Sequence, residues 1–231
     1  MTFRAASGQL VPVRFEVNPR AKRLILRLDQ KNREAVAVAP SQRQLKDAAA
    51  FAEQRLDWLA SRLSDVPDLQ TLSEGAVIPL RGAPIRITAD GIGRLPRLMD
   101  GDPPVLSLPG APETLPARAL RYLKREAKAD LTRAVDRYAS QLGVTYRRIF
   151  VKDTRSRWGS CSVEGNLSFS WRLILADPFV LDYVAAHEVA HLIEMNHSPA
   201  FWAQVEKIYP NWKTASAWLK SRGAELHAVG A

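Results

Sequence analysis

Residues 187 to 197 read HEVAHLIEMNH and hold three of the chain's four histidines. On a helix of 3.6 residues per turn, His187 and His191 lie one above the other, so both imidazoles can reach one cation. Glu188 sits beside them, displaced around the axis. Such a carboxylate is too far round to ligate, yet close enough to take a proton from a water acidified by the metal. A catalytic zinc ion takes three protein ligands and keeps one position open. His197, beyond the expected end of the helix, is the candidate third ligand if a turn swings it back. From this chain's own composition, an H-E-x-x-H pattern arises by chance about three times in a thousand. The competing expectation is a set of core histidines bonded to backbone carbonyls. His227 lacks this spacing and reads as solvent-exposed.

These side chains need a helix, a turn and a second helix, and the flanking residues supply the signals. Asp177-Pro178 offers an N-cap and a first-turn proline for a helix running to about Glu194. Ser198-Pro199 repeats that pattern for a helix whose Phe201, Trp202, Val205 and Ile208 read as core. A last helix spans Lys213 to Arg222, stopped by Gly223. Upstream, Leu115 to Leu142 is amphipathic, with Leu120, Leu123, Leu131, Val135, Tyr138 and Leu142 inward and Gly143 as terminator. Between these helices, Tyr146 to Lys152, Trp158 to Ser162 and Leu167 to Trp171 are short β-prone runs, the last two joined by a turn at Glu164-Gly165-Asn166. Gly159 either admits an extended peptide along its strand or marks a bulge in a buried hairpin.

The first hundred residues alternate apolar runs with turn formers: Val11 to Val17, Leu24 to Leu28, Ala35 to Ala39, Val77 to Leu80 and Ile85 to Ala89. One helix, roughly Gln42 to Leu63 with Ser41 as N-cap, interrupts them. The stretch from Asp90 to Pro116 is rich in Gly, Pro and Asp, which places a boundary there, and its GIG triplet is a turn. The expected organisation is a β-rich unit with one helix over 1–110 and a second domain over 111–231. The fold class is α+β, with the histidine helix packed on a small antiparallel sheet.

With 33 basic against 24 acidic residues the chain carries a formal charge of +9 and a pI near 10.0, which favours polyanionic partners. Arg118, Arg121, Lys124, Arg125 and Lys128, with Arg147, Arg148, Lys152, Arg155 and Arg157, could hold nucleic acid or a nucleotide through phosphates, or be an ordinary solvated face. No zinc-finger, RNP or helix-turn-helix signature accompanies them. Cys161 stands alone, so an intrachain disulfide and a four-cysteine zinc site are both excluded. It reads as a small buried thiol. No run of eighteen apolar residues and no secretory leader is evident, so the expectation is a soluble, cytoplasmic protein without membrane partners.

HEVAHLIEMNHSPAFW, with RSRWGSCS, GNLSFSWRLILA and VLDYVAAHE, resembles the YgjP-like metallopeptidase domain, a zincin group similar in its core to SprT-like proteases. The resemblance is strongest from about Leu115 to Leu226. It implies a zinc-dependent hydrolase with His187, His191 and His197 as ligands and Glu188 as base, acting on a peptide or protein. The ligand spacing is also similar to that of the metzincins, but Glu194 stands where those have a turn-making glycine. A left-handed Asn196 would be one way to make the turn. For an oxyanion-stabilising group the sequence offers Arg155, Arg157, Arg172 and Tyr183 without choosing. Two other readings stay open beside the peptidase: a metal-dependent nucleotide phosphohydrolase, and a non-catalytic zinc-stabilised nucleic-acid-binding module.

Overall fold

Period-two patterning over the first 69 residues folds into strands β1 (Thr2–Arg4), β2 (Leu10–Val17), β3 (Ile25–Asp29) and β4 (Glu34–Ala39). The structure, a computed structural model, describes residues 1–29, 32–65, 67–90, 93–154 and 156–230. The chain divides into two units, Met1–Leu69 and Gln70–Ala231. In the first, the sheet order is β1-β2-β4-β3, with β2 and β4 parallel and the other pairs antiparallel. Ala35, Ala37 and Ala39 of β4 share a core with Val11, Val13, Ala48, Ala52, Leu59 and Leu63. The helix expected over 42–63 is two: α1 (Leu45–Glu53) and α2 (Leu56–Ser64), after a 3-10 turn at Gln42–Gln44. Arg55, at φ −117 and ψ 14, leaves the helical region and breaks it, with no proline or glycine to announce the break. The Ser41 hydroxyl donates to the Gln44 side chain and caps no backbone N–H.

In the second unit, β5 (Val77–Leu80), β6 (Ala83–Asp90), β7 (Arg97–Met99) and β8 (Val105–Pro109) form a sheet of order β5-β6-β8-β7. Its Ile78, Ile85, Ile87, Leu106 and Leu108 share one core with α3 (Leu115–Leu142). The division therefore falls at Leu69, ahead of the boundary expected near 110. The turn-rich run from 90 to 116 connects strands whose apolar face is buried in the second unit, so it is not a linker. Of the GIG triplet, Gly91 and Ile92 lie outside the described residues. Leu123, Leu131, Val135 and Tyr138 of α3 are buried as their spacing predicts, Leu120 and Leu142 are half-buried, and Gly143 ends the helix at φ 66.

Three further strands, β9 (Arg148–Lys152), β10 (Gly159–Cys161) and β11 (Asn166–Ser170), are ordered β10-β11-β9. This sheet is mixed, not antiparallel throughout: β10 and β11 form a hairpin, while β11 runs parallel to β9. The chain crosses from β9 to the far edge before returning through Gly165, at φ 76. Helices α4 (Pro178–Ala190), α5 (Pro199–Ile208) and α6 (Trp212–Ala228) complete the unit. Gly223, expected to stop the last helix, lies inside α6, where a Cβ would come 3.0 Å from the Trp158 ring. His227, expected to be exposed, is half-buried and stacked on Trp158 with ring centroids 4.4 Å apart. Among the described residues no helix is long and apolar enough to cross a membrane.

What fixes the start of α4 is the β5–β6 turn. Arg81 (φ 52) and Gly82 (φ 79) donate their N–H groups to the carbonyls of Ile174 and Leu175, at 2.7 and 3.2 Å. The Arg81 guanidinium meanwhile grips Asp130 and Glu126 of α3. The turn thus ties the 3-10 segment Trp171–Leu175, which leads into α4, to α3. At Gly82 an added Cβ would lie 2.9 Å from Asp177 Cγ and 3.1 Å from its Cα, on a left-handed backbone. Gly82→Ala is expected to lower stability by about 1–3 kcal/mol, read as a lower urea midpoint at unchanged slope.

Candidate metal centre

Helix α4 is buried on almost every side: Val180, Leu181, Val184, Ala185, Ala186, Val189 and Ala190 all lie in the core. It ends at Ala190, so His191 is the first residue past it, short of the expected end near Glu194. Asp177 makes no side-chain cap bond at its start. The helix stops where it does because the chain turns at once. The His191 Nδ1–H donates to the Glu194 carbonyl at 2.9 Å, so the ring that could bind a metal also closes the turn. Among described non-glycine residues only Arg33 and Arg81 have positive φ, so Asn196 is not left-handed. Its side-chain oxygen instead accepts the Ser198 N–H at 2.9 Å, and the Ser198 hydroxyl accepts the Phe201 N–H at 3.3 Å to cap α5.

That turn returns His197 to the helix. The nearest ring nitrogens of His187, His191 and His197 lie within 4.8 Å of one another, and the Nε2 atoms of His187 and His197 are 3.0 Å apart. Aromatic rings wall the cluster. Phe201 stacks on His191 with centroids 4.3 Å apart and meets His187 edge-on at 4.9 Å. Trp202 tilts against His197 at 5.9 Å and stacks on Trp212 at 4.2 Å. Phe201 is core, as expected, Trp202 is half-buried against that core, and both pack on the imidazole rings. Burial pushes the His187 pKa down to about 3, helped by the other two histidines, and burial likewise lowers His191. Neutral imidazoles with converging nitrogens are the form in which histidine ligates a metal.

Glu188 is only 5% exposed, and its Oε2 is buried without a hydrogen-bond partner. Burial raises its pKa to about 8, against a smaller downward pull from Arg157. The carboxyl has room because of Gly159: a Cβ there would sit 2.6 Å from Glu188 Cγ and 2.7 Å from its Cδ. The neighbour that requires a glycine here is thus the Glu188 carboxyl, which the sequence reading of Gly159 did not foresee. A cleft of about 400 Å³ opens beside it, lined by Trp158, Gly159, Tyr183, His187, Glu188 and Lys220, with Val184, Ser216 and Leu219 completing the wall.

Of the groups considered for oxyanion stabilisation, Arg172 is engaged elsewhere. It is 1% exposed, paired with Asp153, bonded to the Val229 carbonyl at 3.3 Å, and stacked on Trp171. Arg157 is exposed, Arg155 lies outside the described residues, and Tyr183 lines the cleft with its ring 5.8 Å from His187. Cys161 is half-buried and apart from the histidine cluster. Part of the basic row on α3 holds backbone in place: Arg118 binds the carbonyls of Leu108, Pro109 and Ala111, and Lys128 binds that of Ile149. Sequence reasoning did not reach Ser216, Leu219 and Lys220. They come from α6, distant in sequence, and carry no motif of their own.

The family described as YgjP-like, metallopeptidase domain, matches residues 22–222. The crystal structure of the metallopeptidase zymogen of Pyrococcus abyssi abylysin is 20% identical, the match covering 39% of this chain and 92% of that one at a TM-score of 0.36. No curated protein matches the chain.

Two outcomes follow from this packing. Gly159→Ala must displace the Glu188 carboxyl, and a loss of roughly 1–3 kcal/mol on chemical denaturation is expected from overpacking. The Cys161 thiol, pushed up to about 11 by burial and by the nearby Glu188 charge, is protonated at pH 8. Iodoacetamide should therefore alkylate the native thiol at least about tenfold more slowly than the urea-unfolded chain at that pH, the native rate climbing as pH approaches 11.

Proposed function

The chain belongs to the YgjP-like metallopeptidase domain family, and from that premise we propose a zinc-dependent peptidase with His187, His191 and His197 as ligands and Glu188 as general base. A metal-dependent peptidase is what family membership indicates; the choice of zinc and the residue roles rest on the site. The observation that carries the reading is the cluster itself: three ligand nitrogens within 4.8 Å beside a buried carboxyl.

The donor set fits the ion. Zinc accepts imidazole nitrogen readily, and a catalytic site needs three protein ligands with a further position open to solvent or substrate. Burial disfavours the protonated form of both His187 and His191, which leaves their lone pairs less contested by protons. The Glu194 carbonyl, taking the Nδ1–H of His191, leaves Nε2 of that ring as the ligating atom. Zinc, when bound, supplies Lewis acidity that acidifies water and polarises a carbonyl.

The remaining work belongs to the protein. Glu188 Oε2, buried and without a partner, takes the proton of the attacking water and passes it to the departing amine. The Gly159 backbone packs directly against that carboxyl. β10 ends the sheet order β10-β11-β9, so its outer edge can align an extended peptide alongside Glu188. The cleft walled by Trp158, Tyr183 and Leu219 receives a substrate side chain next to the scissile bond. Three neutral ligands leave the ion with its full positive charge, which favours water acidification over tight structural closure.

Wild type and Glu188→Gln should each hold one zinc per chain by elemental analysis. Turnover of casein or a quenched peptide library should fall about 10²–10⁴-fold in the variant. His197→Ala should lose zinc as well as turnover. Zinc-free wild type, or full proteolysis by Glu188→Gln, would sink the assignment. Phosphate release from a nucleotide panel without proteolysis would transfer the site to phosphohydrolysis.

A further inference from the structure

The first unit carries a groove that nothing in the metal chemistry uses. Helices α1 and α2 pack over β2 and β4. Among the described residues the terminal strand β3 has no strand paired to its outer edge. Leu24, just before β3, Ile25 and Leu26 of the strand, Phe51 of α1 and Trp58 of α2 line a cavity of about 450 Å³. Ile25 and Leu26 are successive strand residues and so belong to opposite faces of β3, which puts the cavity at the free edge near the start of the strand. Trp58 is 47% exposed and Ile25 40%. Arg23 and Arg55 complete the rim, and among the described residues neither has a carboxylate partner.

An open sheet edge, an apolar floor and two unpaired guanidinium groups make three demands on one occupant. The edge offers backbone N–H and C=O groups in strand spacing, which an extended peptide satisfies by adding as a further strand. The floor takes large apolar side chains at every second residue, since side chains of a strand alternate. The arginines take carboxylates. Single-stranded nucleic acid meets only the last demand, together with stacking on the one exposed indole. The aliphatic wall and the strand edge give it nothing further.

We propose that this groove is a docking site for an extended peptide segment in which large apolar residues alternate with acidic ones, bound by strand addition to β3. The site is independent of the metal centre and of the peptidase assignment. For a chain-cleaving enzyme, it would select substrates or partners by a segment other than the one cleaved.

The test uses the full chain in EDTA, so that no cleavage interferes, and fluorescence anisotropy of a labelled, end-blocked octapeptide alternating leucine and glutamate. Wild type should bind it and should bind the lysine-for-glutamate counterpart at least tenfold more weakly. Trp58→Ser and Arg55→Glu should each weaken binding at least tenfold while the thermal melt and circular dichroism of the chain stay as in wild type, both residues being exposed. N-methylation of alternate amides in the peptide should abolish binding, a readout that needs no protein variant. Equal binding of the acidic and basic peptides, or binding indifferent to Trp58, or tolerance of N-methylation would each overturn the proposal. So would absence of binding at millimolar peptide. Binding of oligothymidylate lost on Trp58→Ser, with the peptide ignored, would reassign the groove to nucleic acid.

Discussion

The contact between Gly159 of β10 and the carboxyl of Glu188 on α4 is the constraint on which the rest of the centre depends. With no Cβ in the way, the strand backbone lies close enough to pin Glu188 where it is 5% exposed. Everything else sets that distance. The hairpin with β11 places β10, the Trp158 ring next to Gly159 is wedged against Gly223 and His227 of α6, and α4 is held by a core on almost all sides. A side chain at residue 159 would force either the strand or the carboxyl to move, and close-packed interiors have no slack to absorb that.

The histidines are held by a second economy of parts. One short turn brings His197 back over α4, and the same turn fixes His191 through the Glu194 carbonyl. The residues after it, Ser198 to Trp202, cap the next helix and at once supply Phe201 and Trp202 as the wall behind the imidazoles. Apolar surroundings then decide the charge state. Two of the rings are driven towards the neutral form, and the neighbouring carboxyl is raised by the same loss of solvent. A cation placed among them would draw that carboxyl back towards ionisation, because all four groups share one desolvated volume.

Residues that looked chemically available in the sequence turn out to differ by what they touch. Arg172 is a buried strut bound to Asp153, the Val229 carbonyl and Trp171, whereas Arg118 and Lys128 satisfy backbone carbonyls. Arg81 clamps α3 through Asp130 and Glu126. A surplus of basic residues is thus partly a set of internal ties, and net charge alone overstates the surface free for polyanions.

Local features were legible in the residues alone: the four-residue spacing that puts His187 and His191 one above the other at the end of α4, the caps at Ser198 and Gly143, the length of α3, the Gly165 turn and the α+β class. Each depends on a few neighbouring residues whose dihedral and hydrogen-bonding preferences are fixed by type. Tertiary structure alone decided which sheet residues 77–109 joined, that β11 pairs parallel with β9, that Gly159 faces Glu188, and that Gly223 and His227 receive Trp158 inside a continuing helix. The break at Arg55 and the turn through Glu194 and Asn196 belong there too. These depend on which apolar faces meet across long separations in the chain, and a glycine or a histidine reads alike in one dimension whether it ends a helix, makes room for a carboxyl or stacks on an indole.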